Sequence, residues 1–319
     1  MNNELVSVAI LNHNGLKFLK KTLKSIKKLK YPNYEILVVD NCSDDGSLKF
    51  LKENKKIRVI KLKENYGYSK GKNICVNNSK GKYVFLLDND ILIKDLNILK
   101  YALAEYNSLE NPAFLSFPMT NNYQKTTKLY SYCYGIWGPI YNKPLNLFSL
   151  KRMKSFPSGA PLGGNIFFKK KIWKDIGGYD CVQKYYLDDF DIGARSYLKG
   201  YKNYIYPRFV LDHLGYNTKI NKKNWEWKFS YFFSGYARIM IKNYNLFNLS
   251  IRFPLFLIFS ILKTAKYSLK FNSLNPSKSF VLSIKRFIKN IDSTIKLRKK
   301  IQSERVYAED DFLKISPPK

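Results

Sequence analysis

Two acid clusters and one histidine carry the chemistry legible in this sequence. Asp88-Asn89-Asp90 closes an apolar run, so two carboxylates flank a single residue at the end of a buried segment. Oxygen donors in that arrangement suit a hard divalent cation, Mg2+ or Mn2+, which in turn binds diphosphate oxygens. A solvated turn leading to a helix after Asp95 accounts for the same residues without a metal. Asp188, Asp189 and Asp191 open a helical stretch, where the dipole also favours negative charge and simple capping would suffice. Asp191 and Arg195 stand four apart and can pair along the helix, a supporting role. Asp188 and Asp189 precede the helix body and can face a cleft. Crowding and burial raise a carboxylate's pKa and make one of them a better general base. His213, one of 2 histidines, follows Asp212 and reads equally as a third metal ligand or as a structural residue. His13, in the run NHNG, reads as a shape or hydrogen-bonding residue.

The elements that must hold these groups follow from periodicity. Near-continuous apolar runs at Val6–Asn12, Tyr34–Asp40, Ile57–Leu62 and Lys82–Asp88 read as strands. Helical patterns separate them: Leu16, Leu19, Leu23 and Ile26, then Ser47–Glu53, then the run GKNICVNNSK. Buried strands alternating with helices predict a parallel sheet covered on both faces, with ligands beyond the carboxyl ends of the strands. Asn12, Asp40 and Asp88 all stand at such ends.

Residues 119–160 are irregular and aromatic, with Tyr123, Tyr130, Tyr132, Tyr134, Trp137 and Tyr141, and read as an insertion or mobile loop over the site. A strand resumes at Gly163–Phe168, followed by a helix ended by Gly177-Gly178, another from about Asp188 to Gly200, and a strand over Arg208–Gly215. The expected organisation is a catalytic unit over 1–218, with halves of about 1–95 and 96–218, followed by a basic, aromatic helical region over 219–319.

That last region holds 21 Lys/Arg against 6 Asp/Glu from Leu214 onward. Two or three helices are expected over Asn224–Lys300, with Trp225, Phe229, Phe232, Phe233 and Tyr236 on a broad face. Its most apolar run, Phe253–Leu262, would be about 15 Å long as a helix against roughly 30 Å of bilayer hydrocarbon, and Pro254 interrupts it. The expectation is therefore no clean transmembrane span. The N-terminal residues lack a basic segment followed by a long apolar one, so secretion is not expected either.

Composition narrows the classes. Of 319 residues 45% are hydrophobic, which excludes disorder of the whole chain, and 16 Gly, 12 Pro and 4 Cys exclude collagen-like and disulfide-scaffold proteins. Cys42, Cys75, Cys133 and Cys181 are widely spaced and read as buried free thiols in a reducing compartment. With 56 Lys+Arg against 24 Asp+Glu, the net charge of +32 suggests a polyanionic partner, although a Lys- and Asn-rich compositional bias produces the same excess.

The runs VSVAILNHNG, YEILVVDNCSDDGS, NYGYSKGKN, YVFLLDND, GGNIFFKKKIWKDIGGYD, YLDDFDIGARSYLKGY and VLDHLG stand in the order seen in family 2 glycosyltransferases, over about residues 5–215. The sequence most resembles the rhamnosyltransferase-like branch. The resemblance implies the GT-A fold, a Rossmann-like, mostly parallel sheet flanked by helices, here with a helical C-terminal extension. It implies an inverting transfer from a nucleotide sugar to an acceptor hydroxyl, with Mg2+ or Mn2+. Carried onto this sequence, Asn12 and Asp40 would hold the nucleobase and ribose. Asn65, Gly67 and Asn73 would lie near the nucleotide and sugar, and Asp88 would contact ribose or sugar. Asp90 and His213 would hold the metal, and Gly163, Gly164 and Asn165 would line the sugar and acceptor pocket. Asp189 would be the base; Asp188 stands where the family usually has Glu, leaving two carboxylates as candidates. Asp191 and Arg195 would support them.

Acceptors in this family are often lipid-linked glycans, so a peripheral enzyme on the cytoplasmic face of an anionic membrane is expected. Packing of the C-terminal helices on the catalytic unit, or an oligomer formed through them, explains the same residues. A nucleic-acid-binding protein would explain the charge, but not acids gathered at one sheet edge, and no nucleic acid is expected as partner. A sugar nucleotidyltransferase would share the α/β start, but the glycine-rich basic signature it needs near the N-terminus is missing.

Overall fold

The computed structural model describes residues 3–120, 131–135, 138–141, 147–183, 185–215 and 222–316; over 138–141, 147–148 and 222–229 it describes the backbone alone. The first half alternates as expected: β1 (Val6–Asn12), α1 (Leu16–Ile26), β2 (Tyr34–Asp40), α2 (Ser47–Lys52), β3 (Ile57–Lys61), α3 (Tyr68–Asn78) and β4 (Tyr83–Asp88). There follow β5 (Ile91–Leu92), α4 (Ile98–Ser108), β6 (Pro112–Ser116), β7 (Met119–Thr120), β8 (Tyr132–Gly135), β9 (Gly138–Tyr141), α5 (Leu147–Lys151) and β10 (Phe156–Ser158). Then come β11 (Asn165–Lys169), α6 (Lys170–Ile176), α7 (Asp188–Leu198), β12 (Lys202–Ile205) and β13 (Leu211–His213). The chain closes with α8 (Lys222–Asn243), α9 (Leu246–Phe271), α10 (Asn275–Lys289) and α11 (Ile291–Ser303).

The central sheet has eight strands in the order β10-β12-β6-β11-β4-β1-β2-β3. β4, β1, β2 and β3 run parallel, as do β12 and β6, while β11 and β10 run against their neighbours. All seven residues of β1 are buried, because helices cover both faces; a continuous apolar run is what such a strand requires. The fold is the mixed α/β, mostly parallel architecture that the sequence predicts.

Register brings the functional edge together. Asn12 faces Asp40 across β1–β2, and Leu11 faces Asp88 across β1–β4, so three parallel strands end at one level. β11 enters from the opposite direction with Asn165 opposite Leu87, which puts Gly163 and Gly164 at the same edge.

The second half differs from expectation in detail. Residues 119–160 contain β7, β8, β9, α5 and β10 among their described residues, and Tyr132 and Tyr134 are buried against α7 rather than forming a loose cover. The Tyr132 ring lies 4.6 Å from Phe190 and that of Tyr134 lies 5.3 Å from it. Tyr123, Tyr130 and Trp137 lie outside the described residues, as do the side chains of Tyr141, Trp225 and Phe229. The strand expected over Arg208–Gly215 shrinks to β13, and the strand expected from Gly163 begins at Asn165. All four cysteines are free, but only Cys75 and Cys133 are buried; Cys181 is exposed.

Four helices, not two or three, fill the C-terminal region. The apolar run at Phe253–Leu262 is the middle of α9, whose 26 residues continue through Pro254. At 1.5 Å per residue α9 is about 39 Å long. Among the described residues it is one helix long and apolar enough to cross a membrane, with only 11% of its most apolar window buried. Phe233 and Tyr236 of α8 pack on Phe256 of α9 at 5.3 and 5.2 Å, so part of the aromatic face is ordinary core.

The helical region is joined to the sheet domain by buried charge. Lys242 of α8 reaches Asp180 at 2.5 Å and Asp191 at 2.8 Å, and Arg238 reaches Asp180 at 2.7 Å. Asp180 is held far below the usual carboxylate range: burial opposes its charge, but Lys242 and Arg238 outweigh it. Removing one partner of such a network leaves an uncompensated charge indoors. Lys242→Met should therefore lower the unfolding free energy by about 3–5 kcal/mol in urea titrations, with loss of the fold as the extreme outcome.

Candidate active site

The first cluster forms at the end of β4. Asp88, Asp90 and His213 each offer a donor atom within 4.8 Å of the others. A second, three-stranded sheet delivers His213: β13 pairs antiparallel with β5, setting His213 opposite Ile91, and Leu214 N donates to Asp90 O at 2.9 Å. His213 Nε2 lies 3.1 Å from Asp90 Oδ2. Burial works against the imidazolium, but Asp90 and Asp88 more than offset it and raise the histidine's pKa. A Cβ on Gly215 would stand 2.3 Å from Asp90 Oδ2, so only glycine lets the backbone pass there. Two carboxylates and one imidazole are the donor set that Mg2+ or Mn2+ accepts.

Asp88 has a further partner that the sequence reading missed. Lys72 of α3 is buried, with its Nζ 2.7 Å from Asp88 Oδ1 and 2.6 Å from Leu87 O, and Tyr68 OH donates to Asp88 Oδ1 at 3.0 Å. Burial raises the Asp88 pKa, yet Lys72 outweighs it and the carboxyl stays below its ordinary value. A single lysine among 56 Lys+Arg gave no sequence signal.

The second cluster stands at the start of α7, which is buried along its whole length. Tyr186 and Leu187 both adopt left-handed backbone, at φ 61° and 63°, and turn the chain sharply into the helix. Two such non-glycine residues in succession store strain of the kind found at functional sites. The residue before the helix, Leu187, offers no side-chain cap, and Asp189 Oδ1 accepts from the first-turn Phe190 N at 3.0 Å, so this carboxyl also serves the helix start. Asp191 instead pairs with Arg195 at 2.8 Å, as its spacing predicts, and Asn243 of α8 donates to it at 3.1 Å.

Asp188 and Asp189 are buried. Burial pushes the Asp188 carboxyl well above its usual range, and the charges of Asp189 and Asp88 add to that push. Burial raises Asp189 to about 6, with hydrogen bonds from Phe190 N and Tyr132 limiting the rise. The glycine pair lies between this cluster and the first. A Cβ on Gly163 would meet Asp189 Oδ2 at 3.0 Å, and one on Gly164 would meet Asp88 Oδ2 at 2.6 Å. Gly164 has φ +90°, so a side chain there would also be strained. The buried Asn165 accepts from Phe117 N at 2.8 Å, while its amide nitrogen has no partner.

The residues expected on the nucleotide side divide into two groups. Asp40 is fully buried and accepts from Asn12, Ser43 N and Ser43 Oγ at 3.0, 3.0 and 2.7 Å, which fixes the loop after β2. Asn89 donates to Asn12 at 2.7 Å, linking that loop to Asp88 and Asp90. Asn65 accepts from Gly67 N at 2.8 Å and from Asn41 at 2.9 Å, shaping the turn before α3. Asn73 lies elsewhere: both ends of its amide bond the Tyr179 backbone, at 2.8 and 2.9 Å, so it braces α3 against the turn after α6. A separate cavity of about 300 Å³ is bounded by Gly178, Asp180, Arg195, Lys242, Lys300 and Arg305, and none of Asp88, Asp90, Asp188 and Asp189 lines it.

The fold recurs in solved structures. Staphylococcus aureus TarS 1–349 in complex with UDP-GlcNAc superposes with TM-score 0.61 at 16% identity, over 97% of this chain and 89% of that one. GalNAc-T7 with UDP, GalNAc and Mn2+ superposes with TM-score 0.59 at 18% identity, over 76% of this chain and 48% of that one. Among curated relatives, the Escherichia coli UDP-Glc:alpha-D-GlcNAc-diphosphoundecaprenol beta-1,3-glucosyltransferase WfaP is 33% identical over 89 residues, 27% of this chain and 36% of that one. The matched segments span about a third of the length of such relatives. The description "Glycosyl transferase family 2" matches residues 7–177, and the chain belongs to that family.

The raised pKa of Asp189 has a consequence for stability. A carboxyl whose folded-state pKa is raised favours the fold while protonated, and that contribution disappears as pH rises through about 6. Asp189→Asn should therefore raise the Tm of the ligand-free chain above pH 6 and leave it unchanged near pH 4, as differential scanning calorimetry would register.

Proposed function

We propose that the chain transfers a sugar from a nucleotide-sugar donor to an acceptor hydroxyl with inversion at the anomeric carbon. The observation that carries this reading is the pair of acid clusters meeting at Gly163-Gly164. One cluster has a cation-binding donor set, and the other has a carboxyl poised to titrate near neutrality. In the likeness to WfaP, whose name gives it a diphosphoundecaprenol-linked acceptor, lies the support for a glycan or lipid-linked acceptor. Such an acceptor places the enzyme at the inner face of the cell membrane as a peripheral protein.

In this mechanism Asp189 is the general base. At pH 7 a group with pKa about 6 is mostly ionised, and Asp189 Oδ2 faces the Gly163-Gly164 turn. Asp188, pushed upward by burial and by the charges of Asp189 and Asp88, stands beside it as a second carboxyl. Asp189 takes the proton of the acceptor hydroxyl as its oxygen bonds to the anomeric carbon. The bond from that carbon to the diphosphate breaks on the opposite side, and the nucleoside diphosphate departs with its charge. A divalent cation held by Asp90 and His213, with Asp88 beside them, would supply electrostatic stabilisation of that leaving group. Asp191, fixed by Arg195 and Lys242, holds the first turn of α7 and so aims Asp189.

Asp189→Asn should cut kcat by about 10²–10⁴-fold while the dissociation constant for the nucleotide sugar stays unchanged. The wild-type rate should fall below about pH 6, on the limb set by Asp189. Normal turnover by the variant would remove Asp189 from the mechanism.

Asp90→Asn and His213→Ala should weaken Mn2+ binding and Mn2+-dependent donor binding in calorimetric titrations. In the wild type, Mn2+ affinity should increase with pH, because the metal displaces the proton favoured by Asp90 on His213. Unaltered metal titrations in both variants would contradict the assignment.

A further inference from the structure

We infer that the outer face of α9 and α10 is an interfacial surface that seats the chain flat on an anionic lipid leaflet, without spanning it. The inference extends the membrane location proposed above by naming the face and its mode of binding.

Helical spacing divides α9 into two sides. Phe256, Ser260 and Thr264, four apart, are buried, and Phe256 packs on Phe233 and Tyr236 of α8. On the opposite side Phe247, Ile251, Ile258, Ile261, Leu262 and Leu269 are exposed, Leu269 to 83% and Phe247 to 72%. Leu274, Val281, Leu282 and Ile288 extend the apolar surface through the next turn and α10. Bare aliphatic side chains in such number on one side mark an interaction surface.

Charge chooses the occupant. From Leu246 to Ser303 there are 12 Lys/Arg and one acid, Asp292. Lys278, Lys285 and Lys289 lie on α10 among Val281, Leu282 and Ile288, the mixture of apolar and basic residues that suits a lipid headgroup boundary. The Lys263 ammonium lies over the Phe232 and Phe259 rings, 4.9 and 5.6 Å from their centroids. Two copies of the chain would bring like charges together on this face, whereas an anionic leaflet attracts it. Length and composition alone would permit α9 to span, but its buried stripe packs on α8 and Lys263, Lys266 and Lys270 stand within the helix, which favours a flat placement.

A half-buried flank of α9 also ties the helix to the sheet side. Arg252 of α9 donates to Gly135 O at 3.3 Å, at the end of β8, and Tyr132 of β8 hydrogen-bonds the Asp189 carboxylate.

The test uses the full chain and vesicle flotation. Wild type should bind phosphatidylcholine vesicles carrying about 30 mol% phosphatidylglycerol at least about tenfold better than phosphatidylcholine alone. About 0.5 M salt should weaken that binding. The double variant Ile258→Asp, Leu262→Asp should lose about tenfold or more in binding, while its Tm and its thermal shift with UDP-sugar and Mn2+ stay at wild-type values. Equal binding by wild type and variant would overturn the inference. So would retention on vesicles after alkaline carbonate extraction, which marks a spanning helix. A dimer-to-monomer change in the variant with vesicle binding intact would equally overturn it, assigning the face to a second copy. Because flotation reads lipid binding without any glycosyl transfer, a negative result leaves the transferase reading standing.

Discussion

The arrangement rests on the repulsion among carboxylates crowded at one sheet edge. Asp40, Asp88, Asp90, Asp188, Asp189 and Asp191 are buried or half-buried within a connected set of contacts. Buried negative charges tolerate one another only if each is paired, hydrogen-bonded or protonated. The chain uses all three remedies. Lys72 pairs with Asp88, His213 with Asp90, and Arg195 and Lys242 with Asp191. Asn12 and Ser43 satisfy Asp40 by hydrogen bonds. Among the described residues no such cation pairs with Asp188 or Asp189, and their carboxyls alone are driven upward in pKa. The two carboxyls left without a counter-charge are thereby the ones whose protons are held most strongly.

The same electrostatics tie the C-terminal helices to the acid cluster at the start of α7. Lys242 and Asn243 come from the end of α8, yet they fix the first turn of α7. Arg238 and Lys242 also hold Asp180 beside the Gly177-Gly178 turn that Arg195 grips from the other side. A helix carrying two strained left-handed residues at its start requires such anchoring to keep a defined direction. The sheet and the C-terminal helices share one buried charge network.

Much of the nucleotide-side half was legible because its strands are long, buried and bounded by polar ends. Four apolar runs, each ending at or near a polar residue, fixed four strands to within two residues at either end. Asp191–Arg195 followed from helical spacing alone. The delivery of His213 to Asp90 was not derivable from pattern, because β5 and β7 hold two residues each and make no periodic signal. β6 and β12 passed unnoticed for a related reason, being short and set among loops. Lys72 was hidden by its abundance, and Asn73 looked like a binding residue although its amide serves the Tyr179 backbone. Pro254 misled in the opposite direction: it sits exposed on the outer side of α9, where neighbouring turns and tertiary packing carry the helix through.

Site-resolved carbon-13 NMR titration of the aspartate carboxyls in the full chain tests the electrostatic account most directly. It predicts Asp189 titrating near pH 6 while Asp88 and Asp191 remain ionised below their ordinary range. An Asp189 that titrates like a solvent-exposed aspartate, or an Asp88 that takes up its proton first, would contradict it.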